Sequence, residues 1–320
     1  MERSDDLEWF RTSFDAIVDN VDTVIRGKHD VIRLAVMCLI AEGHVLIEDV
    51  PGVGKTLLAK SIARSIESSF QRIQFTPDLL PSDITGVSVF DRQSSSFIFR
   101  PGAIFANIVV GDEINRASPK TQAALLEAME ERQVTVDGTT HPLLPPFMVV
   151  ATQNPLEHEG TYPLPEAQLD RFMVRLVVGY PDRATTLDIL DTHGSSSTFD
   201  TLGPVLHADE VIRMAGIAKG VHVSDGVREY LADLVEATRS HAELLLGASP
   251  RSALYLLRLA RARAASMERD YLSPDDVKAV AEPVLGHRMI LRPEAQMRGV
   301  DVAEILASIL GRVPVPGSIR

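Results

Sequence analysis

The sequence predicts an α/β fold: a parallel sheet buried on both faces, followed by a smaller helical unit. Three observations carry the prediction. Short apolar runs alternate with helix-like stretches over the first 180 residues, as strands do when their crossover helices cover both sheet faces. A glycine-rich turn opens the helix after the first run. Beyond Tyr180-Pro181 the strand-like runs stop and helix-start signals recur.

Five runs read as strands: HVLI (44–47), RIQF (72–75), NIVV (107–110), FMVVAT (147–152) and VRLVV (174–178). Each is short and bounded by turn residues or charges. LLAKSIARSI (57–66) follows the first as a helix, and PKTQAALLEAMEER (119–132), with apolar Leu125, Leu126 and Met129, follows the third. Two insertions break the alternation. VSVFDRQSSSFIFRPG (87–102) alternates apolar positions about a polar turn, and QVTVDGTTHPLL (133–144) carries Asp137-Gly138, a strong hairpin signal. Both predict hairpins. Ser224-Asp225, Ser249-Pro250 and Ser273-Pro274 then each place a serine cap before a helix, two with proline at the first helical position. A polar Gly/Ser-rich connection spans 192–204, a helical period lies within 294–313, and the final PVPGSIR is expected to fray. The domain reading is 1–180 for the α/β unit and 181–320 for the helical unit.

At 320 residues the chain has room for two domains of about 100–200 residues each. With 45% hydrophobic and 24% charged residues, it is neither disordered, collagenous nor a disulfide scaffold. The 32 Lys and Arg against 44 Asp and Glu give a net charge of −12, a field that disfavours non-specific nucleic-acid binding. Cys38, the single cysteine, lies in an apolar run and reads as a core residue rather than a reactive thiol. That run falls far short of the ~20 residues that span a bilayer, and MERSDDLEWF is acidic where a signal peptide is basic. The chain reads as cytoplasmic.

The first strand leads into EDVPGVGKTLLAK (48–60). Gly52 and Gly54 let the backbone turn its N–H groups toward an anion at the start of the next helix. Lys55 then reaches the β/γ-phosphates and Thr56 ligates Mg²⁺, so Pro51, Gly52, Val53, Gly54, Lys55, Thr56 and Leu57 form a phosphate cradle. Asp49 stands where the pattern GxxxxGK[ST] has its first glycine. The plain alternative is a glycine-rich turn with a surface lysine. The third strand ends in IVVGDE, at the sheet edge where open α/β sheets bind ligands. There Asp112 suits Mg²⁺ and Glu113 suits polarising an attacking water, unless the two are merely a solvated pair. The guanine-reading Asn-Lys-x-Asp sequence is absent, which favours ATP over GTP.

EDVPGVGKT, GDEINRASPKTQAALLEAMEERQVTVDG and ATQNPLEHEGTYPLPEAQLDRF together resemble the MoxR family of AAA+ ATPases, over roughly residues 20–290. The resemblance implies a five-stranded sheet of order 5-1-4-3-2, the two hairpin insertions and an all-α lid. It also implies residue roles. Asn154 matches sensor 1, which holds the attacking water, the alternative being an Asx turn before Pro155. Arg171 matches an arginine finger acting on a neighbouring subunit's γ-phosphate, the alternative being an ion pair with Asp170 or another acid of its own chain. Arg251 matches sensor 2 on the lid, or is a surface arginine. Ile25 and Gly27, within TVIRGKHD (23–30), match the adenine pocket, or form a structural turn. Arg258, Arg261 and Arg263 read as a solvated helix face. Family members often have Pro-Gly-Pro after the first hairpin, where this chain has Pro101-Gly102-Ala103.

The implied activity is ATP hydrolysis with Mg²⁺ in a homo-oligomeric ring, a hexamer, coupled to chaperone-like remodelling or maturation of client proteins, often ones with a von Willebrand factor A domain. The alternatives are a nucleotide-dependent scaffold with negligible turnover, a subunit like the magnesium-chelatase ATPase, or a DNA-remodelling ring. His44, His158 and Asp182 show no metal-ligand spacing, and no His/Cys cluster suits zinc. Trp9 reads as a packing anchor. Phe90, Phe97 and Phe99 read as core contacts or as residues facing a pore or client.

Overall fold

Along the chain run β1 (Val45–Glu48), β2 (Phe70–Gln74), the hairpin of β3 (Gly86–Asp91) and β4 (Ser96–Pro101), β5 (Ile108–Asp112), the hairpin of β6 (Gln133–Val136) and β7 (Thr139–Pro142), β8 (Met148–Gln153) and β9 (Val174–Leu176). Five of these form one sheet in the order β2-β5-β8-β1-β9, every pair parallel. Counting only those five, the order is 5-1-4-3-2. The structure, a computed structural model, describes residues 2–154, 160–187 and 198–316. Part of the connection expected over 192–204, the motif residues 155–159 with His158, and the end of the tail lie outside the described residues.

The helices of the first part are α1 (Glu2–Asp22), α2 (His29–Ile40), α3 (Lys55–Ser65), α4 (Pro81–Thr85), α5 (Pro119–Glu131) and α6 (Glu166–Leu169). Strand side chains alternate between two cores because successive residues face opposite sides of a sheet. Val45 and Ile47 join α1, α2 and α3 on one face. Leu46 joins Phe75, Leu125, Leu126 and Met129 on the other. Cys38 is fully buried in the first core, and burial pushes its thiol pKa up, as a core cysteine requires.

The helical part comprises α7 (Thr198–Thr201), α8 (Ala208–Lys219), α9 (Asp225–Arg239), α10 (Pro250–Ser266), α11 (Pro274–Leu285), α12 (Pro293–Met297) and α13 (Val302–Arg312). Ser224, Ser249 and Ser273 are the N-caps of α9, α10 and α11, each accepting a backbone N–H through its hydroxyl. One correction applies here. Strand pairing does not stop at residue 180, because β10 (Leu244–Leu246) and β11 (Ile290–Leu291) form an antiparallel ribbon, too short to display a sequence period. The tail packs on this helical part, with Ile305, Leu306 and Ile309 of α13 buried in the first core.

That core also runs from the sheet through α1 into α10, so the N-terminal helix ties the two parts together. Trp9 is partly buried beneath the Arg213 guanidinium, 3.9 Å from its ring centre. At the base of the first hairpin, a Cβ on Gly102 would lie 2.2 Å from the Ile84 carbonyl oxygen, so only glycine fits. Ala103 then donates its N–H to the Asp83 carbonyl at 3.2 Å, a bond the family's usual proline cannot make. On the same hairpin Phe99 stacks on His141 at 3.7 Å, whereas Phe90 and Phe97 are exposed. No helix among the described residues is long and apolar enough to cross a membrane.

Candidate nucleotide site

The loop between β1 and α3 has the backbone of an anion cradle. Gly52 and Gly54 have φ of 85° and 91°, the left-handed region that glycine enters without strain. Gly54 is the N-cap of α3 and supplies no side-chain cap, which leaves first-turn N–H groups for a phosphate. Lys55 donates through Nζ to the Asp49 carbonyl at 2.7 Å. A Cβ on Gly54 would touch the Ile25 side chain at 3.6 Å, so Ile25 borders the cradle. Gly27, at φ 70°, faces Thr185 so closely that a Cβ would lie 2.7 Å from its hydroxyl oxygen.

Asp49, the departure from the formal pattern, has a structural explanation. Its φ lies outside the left-handed region, so no glycine is needed at this position. The carboxylate is buried and accepts N–H groups from Val50 at 2.8 Å and Gly179 at 2.5 Å, which staples the cradle's entry to the chain leaving β9.

The acids at the end of β5 lie beside the cradle. Asp112 is buried, accepting from the Thr56 hydroxyl at 3.0 Å and the Thr152 hydroxyl at 3.1 Å. These oxygen donors fit Mg²⁺, which keeps several waters and takes further ligands from phosphates. No group of three or more His, Cys, Asp or Glu side chains suited to a metal occurs among the described residues. Arg72 on β2 also donates to Asp112, at 2.5 Å. Glu113 has φ 56°, an unusual conformation for a residue with a side chain, and its N–H is held by the Thr152 hydroxyl at 3.0 Å. Its carboxylate accepts from Gln74 at 2.8 Å and Arg116 at 3.0 Å. Asn154 is buried just beyond β8, the strand beside β5.

Sequence reasoning missed Arg72, Gln74, Arg116 and Thr152 as neighbours of these acids. Arg72 and Gln74 alternate along β2, which pairs with β5 in register, Gln74 opposite Asp112. The signal was present in that two-residue spacing, but only the sheet order gives it meaning.

Arg171 and Arg251 lie elsewhere. Val45 pairs with Val174, so Arg171, three residues before Val174, sits at the sheet edge opposite the cradle. Arg251 joins it there. Arg171 bonds one oxygen of Glu130 at 3.0 Å and Arg251 bonds the other, so the alternative of a pair with an acid of its own chain describes Arg171 in this conformation. The structure thus gathers Lys55, Thr56, Asp112, Glu113 and Asn154 at one edge and the two arginines at the other. The expected solvated arginine face holds for Arg258, which is exposed beside Glu130, and is corrected for Arg263, which with Arg269 binds the buried Asp276 at 2.5 Å.

Two family models match the chain. Residues 44–174 match the family described as ATPase family associated with various cellular activities (AAA), and residues 236–309 match an AAA lid domain. The chain is 50% identical over 299 residues to the uncharacterized protein YeaC of Bacillus subtilis, covering 93% of each. It is 39% identical over 305 residues to chaperone MoxR1 of Mycobacterium tuberculosis, covering 92% of this chain and 80% of that one. Protein MoxR of Paracoccus denitrificans is 30% identical, with 92% and 94% covered. A crystal structure from Cytophaga hutchinsonii, of a protein proposed to be an ATPase, superposes with a TM-score of 0.91 at 38% identity over 97% of both chains.

Proposed function

This chain belongs to the MoxR family of AAA+ ATPases, and from that premise we propose that it binds ATP with Mg²⁺ in the Lys55 cradle and hydrolyses it in a cytoplasmic hexameric ring. The observation that carries the reading is the 3.0 Å bond between Thr56 and Asp112, which joins the cradle to the acids of β5. Thr56 and Asp112 would hold Mg²⁺, which when bound neutralises charge on the phosphates. Glu113 polarises the attacking water and Asn154 orients it. Pro51, Gly52, Val53, Gly54 and Leu57 wrap the phosphates, with Ile25 and Gly27 toward the base.

Arg171 and Arg251 complete the site of the adjoining subunit. Their position at the sheet edge opposite the cradle supports this, since neither arginine lies beside the Lys55 of its own chain. Hydrolysis is then a property of the assembly. The lid shift that follows would move the two hairpins, and the exposed Phe90 and Phe97 of the first suit contact with a client protein. Remodelling or maturation of such clients, including ones with a von Willebrand factor A domain, is the work we assign to the ring.

The test is ATP turnover per chain as protein concentration rises, with Arg171→Ala alongside. Specific activity that climbs in the parent and stays flat in the variant supports the shared site. Turnover independent of both concentration and Arg171 refutes it, and no turnover at any concentration favours a scaffold.

A further inference from the structure

We infer that Glu130 holds Arg171 and Arg251 as a pair and competes for them with the phosphate of the adjoining subunit, so that it sets how readily subunits assemble on ATP. The inference rests on the proposed reading that these arginines act across the subunit boundary. Glu130 lies in the last turn of α5 and gives one carboxylate oxygen to each guanidinium. One acid therefore holds the candidate finger, 41 residues further along the chain, and the candidate sensor 2 arginine, 80 residues beyond that.

The placement of Arg251 argues against a purely local role. Arg251 follows the cap Ser249 and Pro250 in the first turn of α10, where the helix dipole disfavours a cation. The cost is offset from outside the helix, by Glu130 and by Asp170, 4.0 Å from the second guanidinium nitrogen. The cleft around this pair, about 90 Å³, is lined by Arg132, Arg171, Arg251 and Arg258 against Glu42 and Glu130. Four cations line the cleft against two carboxylates, and Asp170 at its margin is itself paired with Arg288, a surplus that suits a further anion.

The backbone that carries the arginines is anchored, while their tips reach solvent. Arg288 donates to the carbonyls of Asp170, Phe172 and Met173, and Tyr255 donates its hydroxyl to the Arg171 carbonyl at 3.3 Å. By contrast the side chains of Arg171, Arg251 and Glu130 are 30%, 34% and 35% exposed. Ion pairs that open to water contribute little and exchange readily. A terminal phosphate carries more charge and accepts both guanidiniums with paired bonds, so it can displace Glu130 with the framework unmoved.

The experiment follows assembly of the full chain by sedimentation velocity in ATP and Mg²⁺ across a concentration series, with turnover measured on the same samples. Glu130→Gln keeps the shape and removes the competing charge. It is expected to lower the midpoint concentration for assembly by about threefold to tenfold, the scale of one or two half-exposed ion pairs. Loss of a merely structural contact would raise that midpoint. A midpoint unchanged or raised overturns the inference. Glu130→Asp, too short to span both arginines, provides a second variant expected to shift the midpoint the same way by less, and thermal unfolding checks that both variants fold. Arg171→Ala separates the two levels. If its turnover climbs with concentration as in the parent, the shared-site reading fails and the role of Glu130 with it. If it stays flat while Glu130→Gln assembles like the parent, the shared site stands and only the Glu130 inference falls.

Discussion

Arg288 donates through Nε to the carboxylate of Asp170 at 2.8 Å, across 118 residues of chain. The bond joins the loop that carries Arg171 to the far end of the lid, and Ser249, the cap of α10, donates to the same carboxylate at 2.9 Å. Asp170 therefore links the backbone segments that carry Arg171 and Arg251.

Arg288→Leu should uncouple them. The side chain is 2% exposed, and removing one partner of a buried pair costs about 3–5 kcal/mol. The variant is expected to unfold at lower denaturant concentration. Its residual turnover should also depend less on protein concentration, because the loop that carries Arg171 loses its anchor. Parent-like behaviour in both measurements would remove Arg288 from the coupling.

Glu113→Gln and Lys55→Ala should separate chemistry from binding. The glutamine variant is expected to retain a fluorescent ATP analogue while turnover falls at least about a hundredfold, the scale of general-base loss. The alanine variant should lose the analogue itself. Chelating Mg²⁺ should abolish turnover in the parent. Retained turnover in Glu113→Gln would take that carboxylate out of the mechanism.

Asp49→Gly would make the loop match the formal glycine pattern and is nevertheless expected to harm the protein. It strips the acceptor from the N–H groups of Val50 and Gly179, and a buried donor left unpaired costs about 1–3 kcal/mol. A lower melting temperature without nucleotide, and a weaker shift on adding ATP, are the expected readings. A variant as stable as the parent would show that the staple is dispensable.

His44 should give the fold an acid limit. Burial pulls its pKa from 6.5 to about 4, and both ring nitrogens are engaged, Nδ1 accepting from Val149 N–H at 3.0 Å and Nε2 at 3.1 Å from the Met129 carbonyl. The folded ring stays neutral where the unfolded one takes a proton. Stability is therefore full above pH 6.5 and declines as pH falls toward 4, by about 2 kcal/mol between pH 7 and 5. His287, held low by burial and then by the Arg288 charge, acts in the same direction. Unfolding midpoints of the parent and His44→Asn should converge as pH falls from 7 to 5. A constant difference would assign the acid limit to other groups.

The strands, the two hairpins, the serine caps and the glycine turn that opens α3 were legible in the sequence because each is a local arrangement. Strand runs show in apolar clusters and hairpins in the Asp137-Gly138 turn. Helix starts show in serine followed by proline, and the turn in glycines directly before Lys55. Local rules also misled where pairing was too short to leave a period, as in the ribbon of β10 and β11. Tertiary structure alone decided what meets what. The packing of β2 beside β5 brings Arg72 and Gln74 to Asp112 and Glu113, and the β1–β9 register puts Arg171 at the edge away from Lys55. Glu130, an unremarkable helix acid in sequence, becomes the shared partner of two arginines only when α5 and the lid meet. The physical reason is range. Backbone preference and turn chemistry act over a few residues, whereas ion pairs and buried hydrogen bonds join any residues that packing brings together, however far apart they lie along the chain.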